Sequence, residues 1–178
     1  MSKITAKQLA TAAILLAVCI VSQLFKNLSV YITGPIINAC LILAALYCGL
    51  TCSVILSIVT PITSFLITGS PVMSAIPALF PCIMLGNAVL VVVVFLLKDK
   101  LKNKIVSLSV SIVIGAVVKA IVMGVLISLI ILPNFLPEAM APMLSALQIQ
   151  FSITQLITAL IGGVYAIIIN AALKKARV

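Results

Sequence analysis

Lys98-Asp99-Lys100-Leu101-Lys102-Asn103-Lys104 is the one dense charge run in the sequence, and it leads straight into an apolar stretch, Ile105 to Leu132, whose only ionisable side chain is Lys119. That stretch exceeds the roughly 20 residues a helix needs to cross a bilayer. Lysines packed against such a segment hold its end in the cytoplasm. Together they decide the fold: a membrane-spanning helix entered from a basic cytoplasmic turn.

The rest of the chain agrees. Of its 178 residues, 65% are hydrophobic and 7% charged, and the mean hydropathy is +1.46. Soluble domains carry about 25% charged residues, so this is an integral membrane protein. The formal charge of +9 would suit nucleic acid, but most of the lysines flank apolar segments, so no nucleic-acid partner is expected. There is no His, and Asp99 and Glu138 are the only acids. This excludes His-based triads, His-rich zinc sites and paired-carboxylate hydrolysis. Cys19, Cys40, Cys48, Cys52 and Cys82 lie in apolar surroundings and read as small packing residues. No catalytic residue, metal or cofactor is expected.

Six segments are long enough to span. Segment one is Gln8 to Phe25. Lys3 and Lys7 ahead of it resemble the start of a signal peptide, but no clear cleavage site follows, so it reads as a retained helix. Lys26 to Gly34 is a polar connection. Pro35 suits a first helical turn, which sets segment two at Pro35 to Leu50, with a tight turn at Gly49 and Thr51. Segment three is Cys52 to Thr68, with a kink expected at Pro61. Segments two and three are short, and read equally as a hairpin that does not fully cross. Gly69 to Phe80, with Pro71 and Pro77, is a long connection. Pro81 opens segment four, which ends at Leu97. Segment five is Ile105 to Leu132. After Pro133 to Leu144, Ser145-x-x-Gln148 reads as a capping box opening segment six, which ends near Leu173. With six spans, the N-terminus, the 98–104 run and the C-terminus share one side. Nine of the eleven basic residues fall there, which makes that side, and both termini, cytoplasmic. Lys26 and Lys119 are the exceptions.

The polar residues are lopsided. Gln23, Asn38, Thr60, Thr63, Ser64, Asn87, Gln148, Gln150, Thr154 and Gln155 all fall in the outer halves of their helices. Phe25, Tyr31, Phe80, Phe135 and Phe151 collect there too. This suggests a pocket open to the outside, roofed by the 69–80 and 133–144 connections. The alternative is an aromatic belt with polar helix ends. Lys119 sharpens the choice. A lysine at the centre of a span costs about 2.5–3.5 kcal/mol on insertion scales, and no acid lies within a span to pair with it. It must meet carbonyls, amides such as Asn38 or Asn87, water or a ligand. It reads either as a site for a substrate carboxylate or as a structural lysine at a helix break.

Ala6, Ala10, Ala13 and Ala17 recur on one face of segment one, a register that admits another helix closely. That helix is either a partner's or one of this chain's own. Ala116, Ala120 and Gly124 form a similar stripe, as do Ala159, Gly162, Gly163 and Ala166. Pro35-x-x-Asn38-Ala39 is echoed by Pro81…Asn87-Ala88, as an inverted repeat of two three-span halves would produce.

On these features the chain resembles the substrate-binding S components of energy-coupling factor (ECF) vitamin transporters. The resemblance covers nearly the whole chain. It is carried by the six segments, the alanine register and three stretches: Gly34 to Ala39, Ile83 to Asn87 and Gln150 to Gly163. It implies six helices around a vitamin-like ligand near the outer face, where the polar set read above makes Lys119, Asn38, Asn87, Gln150, Gln155 and Ser64 the candidate ligand contacts. It also implies that Ala6, Ala10, Ala13 and Ala17 dock on a transmembrane coupling protein carrying two cytoplasmic ATPases, and that the subunit topples in the membrane during transport. The chain has no Gly-x-x-x-x-Gly-Lys-Ser/Thr phosphate loop, so ATP would be hydrolysed by another chain. It also has no Trp, so the Trp-containing pocket of thiamine-specific members has no counterpart. Residues 1–178 are thus expected to form a single six-helix, all-α substrate-binding domain, multi-pass in a bacterial plasma membrane. The rival readings are a self-sufficient secondary transporter and an intramembrane enzyme using Lys119.

Overall fold

The computed structural model describes residues 4–25 and 29–176. The expectations placed on Lys3, Lys26, Asn27, Leu28 and Arg177 lie outside them. Among the described residues there is no strand, and six helical stretches are long and apolar enough to cross a membrane.

Helix α1, Ala6–Gln23, opens on a capping box. The Thr5 hydroxyl accepts from Gln8 N at 3.3 Å, and Gln8 Oε1 accepts from Thr5 N at 3.0 Å. Such caps are worth about 0.5–2 kcal/mol. Helix α2, Val30–Tyr47, starts a turn and a half earlier than Pro35 suggests. Ser29 supplies the cap, accepting from Tyr31 N at 3.1 Å. Pro35 therefore lies inside α2, with its ring buried and its carbonyl against Gly162. Cys48 and Gly49, the latter at φ 81°, turn the chain into α3, Gly49–Thr68. The turn is as tight as expected, and Pro61 lies inside α3. Both α2 and α3 meet the length and hydropathy of full spans, so the short-hairpin alternative is not needed. Gly69, at φ 57°, ends α3.

The 69–80 connection is a folded element. Helix α4, Pro71–Ala75, buries Val72 and Met73. Helix α5, Leu79–Leu97, starts two residues before Pro81, which sits in its first turn. Helix α6, Lys104–Met123, is capped by Asn103, whose Oδ1 accepts from Ile105 N and Val106 N. It runs on as a π-helix, Gly124–Ile131, and a last turn, α7, Leu132–Phe135. A 3₁₀ segment, Glu138–Met143, leads to α8, Leu144–Phe151, and then α9, Ile153–Lys175.

Ser145 and Gln148 do not form the expected cap. Met143 precedes α8 without a side-chain hydrogen bond. Gln148 reaches across instead, donating to Ser128 O at 2.9 Å, while Ser128 Oγ donates to Gln148 O at 2.9 Å. Ser152 Oγ adds a third bond to Gln148 O at 2.5 Å. The wider π turn and the break at Ser152 face each other across this lock. π segments inserted in α-helices occur often at functional sites.

Helix α2 is the centre of the bundle, with ten buried residues and neighbours on every side. Helix α9 packs on it closely: a Cβ at Gly162 would stand 2.6 Å from Pro35 O and 2.8 Å from Asn38 Cβ. Helix α1 lies at the periphery, burying only Ala12, Cys19, Ser22 and Gln23. Large apolar side chains cover the outside, among them Leu66, Ile105, Leu129 and Ile14, each at least 65% exposed. Such a surface suits lipid and not water. The five cysteines are free thiols, four of them buried.

One end of the bundle gathers the start of α1, where Gln8 lies near Gly49, and the ends of α2, α5 and α9 with the start of α6. The charged 98–104 turn and the C-terminal lysines sit at this end. The opposite end holds α4, α7 and α8, packed into a second apolar cluster that includes Met73, Leu79, Met123, Ile127, Leu132 and Phe151.

Candidate functional site

Beneath that second cluster, α2, α3, α5, α6 and the α8–α9 corner leave a cavity. Its volume is about 140 Å³. Lys119, Asn38, Asn87, Gln150, Gln155 and Ser64 all line it. Residues far apart in sequence meet there because each sits on the inward face of its own helix. The outer polar half of the bundle therefore closes around one volume, as the asymmetry of the sequence suggests.

Lys119 is the floor. It is 2% exposed. Its Nζ donates to Asn38 Oδ1 at 2.7 Å and to Asn87 Oδ1 at 2.9 Å. Two asparagines from the echoed Pro–Asn stretches thus grip one lysine from opposite walls. Among the described residues the lysine bonds amide oxygens and no backbone carbonyl. Asn38 Nδ2 in turn donates to Thr158 Oγ1 at 3.5 Å, and Thr158 Oγ1 donates to Thr154 O at 2.8 Å. This chain of bonds fixes the lysine through α2 and α9. A buried ammonium is costly unless paired. The only acids, Asp99 and Glu138, are exposed: Asp99 lies between spans and Glu138 at the very start of the last one.

With an oxygen of each asparagine bonded to Lys119, the floor still has donors to offer: the third N–H of Lys119 and the Asn87 NH₂ group. Thr60 completes it. Thr60 lines the cavity at 2% exposure, and its hydroxyl has no protein hydrogen-bond partner. Its carbonyl accepts from Gln23 Nε2 at 3.1 Å. Thr60 belongs to the polar set legible in the sequence but not to the expected contacts. The apolar walls include Ile37, Met73, Ile83, Met123 and Phe151; Phe151 belongs to the outer aromatics legible in the sequence, and the others carry no polar signal there.

The roof differs in part from expectation. Ser70 and Met73 of the 69–80 connection form one side, but the other side is Gln150 and Phe151 of α8. The 133–144 connection lies behind, with Leu136 and Met140 packed on the outer apolar cluster. The Ser128–Gln148 lock draws α8 over the cavity instead. Gln155 Nε2 donates to Gln150 O at 3.1 Å, which ties the α8 wall to α9. Gln23, Thr63, Gln148 and Thr154 support the walls without lining the cavity.

The alanine register lies elsewhere. Ala6, Ala10, Ala13 and Ala17 are all exposed, on the face of α1 turned away from the bundle. The other two stripes turn inward: Ala116, Ala159, Gly162, Gly163 and Ala166 are buried between helices, and Ala120 and Gly124 are half-buried. Among the described residues no group of three His, Cys, Asp or Glu side chains is placed to hold a metal ion.

No curated protein and no solved structure matches the chain. The family profile described as "ECF transporter, substrate-specific component" matches residues 7–173, almost the full length. It reaches into every span and takes in every residue lining the cavity. The chain belongs to the substrate-specific components of ECF transporters, multi-pass transport proteins of the plasma membrane.

Proposed function

We propose that the Lys119 cavity captures a small micronutrient bearing a carboxylate or similar acceptor group, and that an ATP-driven partner module completes its import. The observation that carries this is a buried lysine without a carboxylate partner. Lys119 is held by two neutral amide oxygens and keeps a third N–H to give. A ligand anion would supply both charge balance and an acceptor. The apolar walls would hold the rest of the molecule, as is usual in small-molecule sites. The charged 98–104 turn puts the opposite end of the bundle in the cytoplasm, so the cavity lies towards the outside. The exposed alanine face of α1 is the surface on which a transmembrane coupling protein would dock, with cytoplasmic ATPases attached to it.

Native mass spectrometry of the purified protein should show one retained small molecule per chain, released when Lys119 is replaced by Met. Vesicles holding this chain alone should bind that molecule without concentrating it. Concentrative uptake by the lone chain would establish a secondary transporter and overturn the reading.

A further inference from the structure

At the cytoplasmic end of the bundle, α2, α5, α6 and α9 frame a second cavity of about 240 Å³ by the same measure. Lys98, Lys104 and Lys174 line it against a single carboxylate, Asp99, over an apolar floor of Leu46 and Leu108. Three cations converge there from the ends of three different helices. Like charges gathered at this range repel unless an anion lies between them.

Lys98 is held in place. It is half-buried, its Nζ donates to Ala45 O at 3.1 Å, and it lies 4.7 Å from the centre of the Phe95 ring. Burial pushes its pKa down from the ordinary lysine value, and Asp99 opposes this. An anion in the cavity would act in the same sense as Asp99. The Tyr47 hydroxyl donates to Asn170 Oδ1 at 2.7 Å, so Asn170 faces the cavity with only its NH₂ group left to give. The first amides of α6 are already taken by Asn103, which leaves the lysines as the anion-binding groups.

We infer that this cavity is a phosphate-group site, occupied in the membrane by the headgroup of an anionic phospholipid. The apolar floor and the lipid-facing walls beside it suit the glycerol and upper acyl chain. Basic pockets between spans on the cytoplasmic side take anionic headgroups in this way. The inference does not depend on what fills the Lys119 cavity.

The test is native mass spectrometry of the full chain in detergent, titrated separately with phosphatidylglycerol and phosphatidylcholine. One phosphatidylglycerol should bind saturably and phosphatidylcholine should not. Lys104→Gln and Lys174→Gln should each weaken that binding about five-fold, given what one surface lysine contributes to anionic-lipid attraction. Both lysines are exposed, so the variants should fold. Lys102→Gln removes the same charge outside the cavity and should change affinity less than about two-fold. Equal losses from Lys102→Gln and the cavity variants, or no loss from the cavity variants, would overturn the site. Inorganic phosphate separates the two sources of the group. If it stabilises the lipid-free protein thermally and loses this effect in the Lys104→Gln/Lys174→Gln variant, the phosphate group itself is recognised. That response without a phosphatidylglycerol response would overturn the lipid occupant.

Discussion

Lys119, Asn38 and Asn87 form a unit whose members are costly to remove singly. Lys119→Leu strips the donor from two buried amide oxygens, each worth about 1–3 kcal/mol when left unmade. The melting temperature in detergent should fall, and the ligand should be lost. Replacing all three residues by Leu removes the orphaned acceptors as well, so stability should largely return while binding stays absent. A Lys119→Leu variant that keeps its ligand affinity by calorimetry would return the lysine to a structural role. Thr60→Val is the complementary case. It removes a hydroxyl with no protein partner, so stability should hold or rise. Ligand affinity should fall about ten-fold if that hydroxyl bonds the ligand, as one hydrogen bond to a charged group is worth. The sequence exposes Lys119 because a central lysine in an apolar span has no inexpensive environment. It does not reveal which amides answer it, since that depends on how three separate helices rotate. Thr60 is legible as polar but not as unpaired, because pairing is decided by the neighbour and not by the residue.

At the scale of the helix, the lengths of the spans are plain in the hydropathy and their ends are not. Pro35 is a fair start signal, yet Ser29 caps α2 earlier and leaves Pro35 inside the helix, where it cannot donate to the carbonyl of Tyr31. Ser145-x-x-Gln148 has the spacing of a cap, but a partner across the bundle, Ser128, outcompetes the local one. The π segment from Gly124 to Ile131 has no sequence signature. It arises where α6 meets α8, which periodicity along one helix does not register. The glycines mark where helices approach closely. Gly162→Ala would push α9 off Pro35 and Asn38, so it should destabilise the protein by about 1–3 kcal/mol and weaken ligand binding through displaced Asn38. Gly124→Ala meets Ser152 only at 3.4 Å and should be nearly neutral. Parallel thermal melts and ligand titrations of the two variants check this. Equal behaviour would show that the α2–α9 contact does not position the floor.

For the whole molecule, the up-and-down order of six spans follows from span count and lysine placement alone. The structure adds that α1 stands apart. Ala13→Trp should abolish co-purification with the coupling protein while leaving ligand affinity unchanged, since Ala13 is exposed and far in sequence and packing from the cavity walls. Retained assembly would show that docking uses another face. No residue between Ala6 and Gln23 lines the Lys119 cavity; its walls come from the later helices and the loops over them. With docking on α1 as proposed, a change in what the subunit accepts can accumulate on the later helices without altering the surface shown to a partner. The reverse also holds, and one partner surface can be kept across subunits of different appetite. One thread joining the two territories is Gln23, fully buried at the end of α1 and bonded to Thr60. It is a place where selection on one territory would be felt in the other.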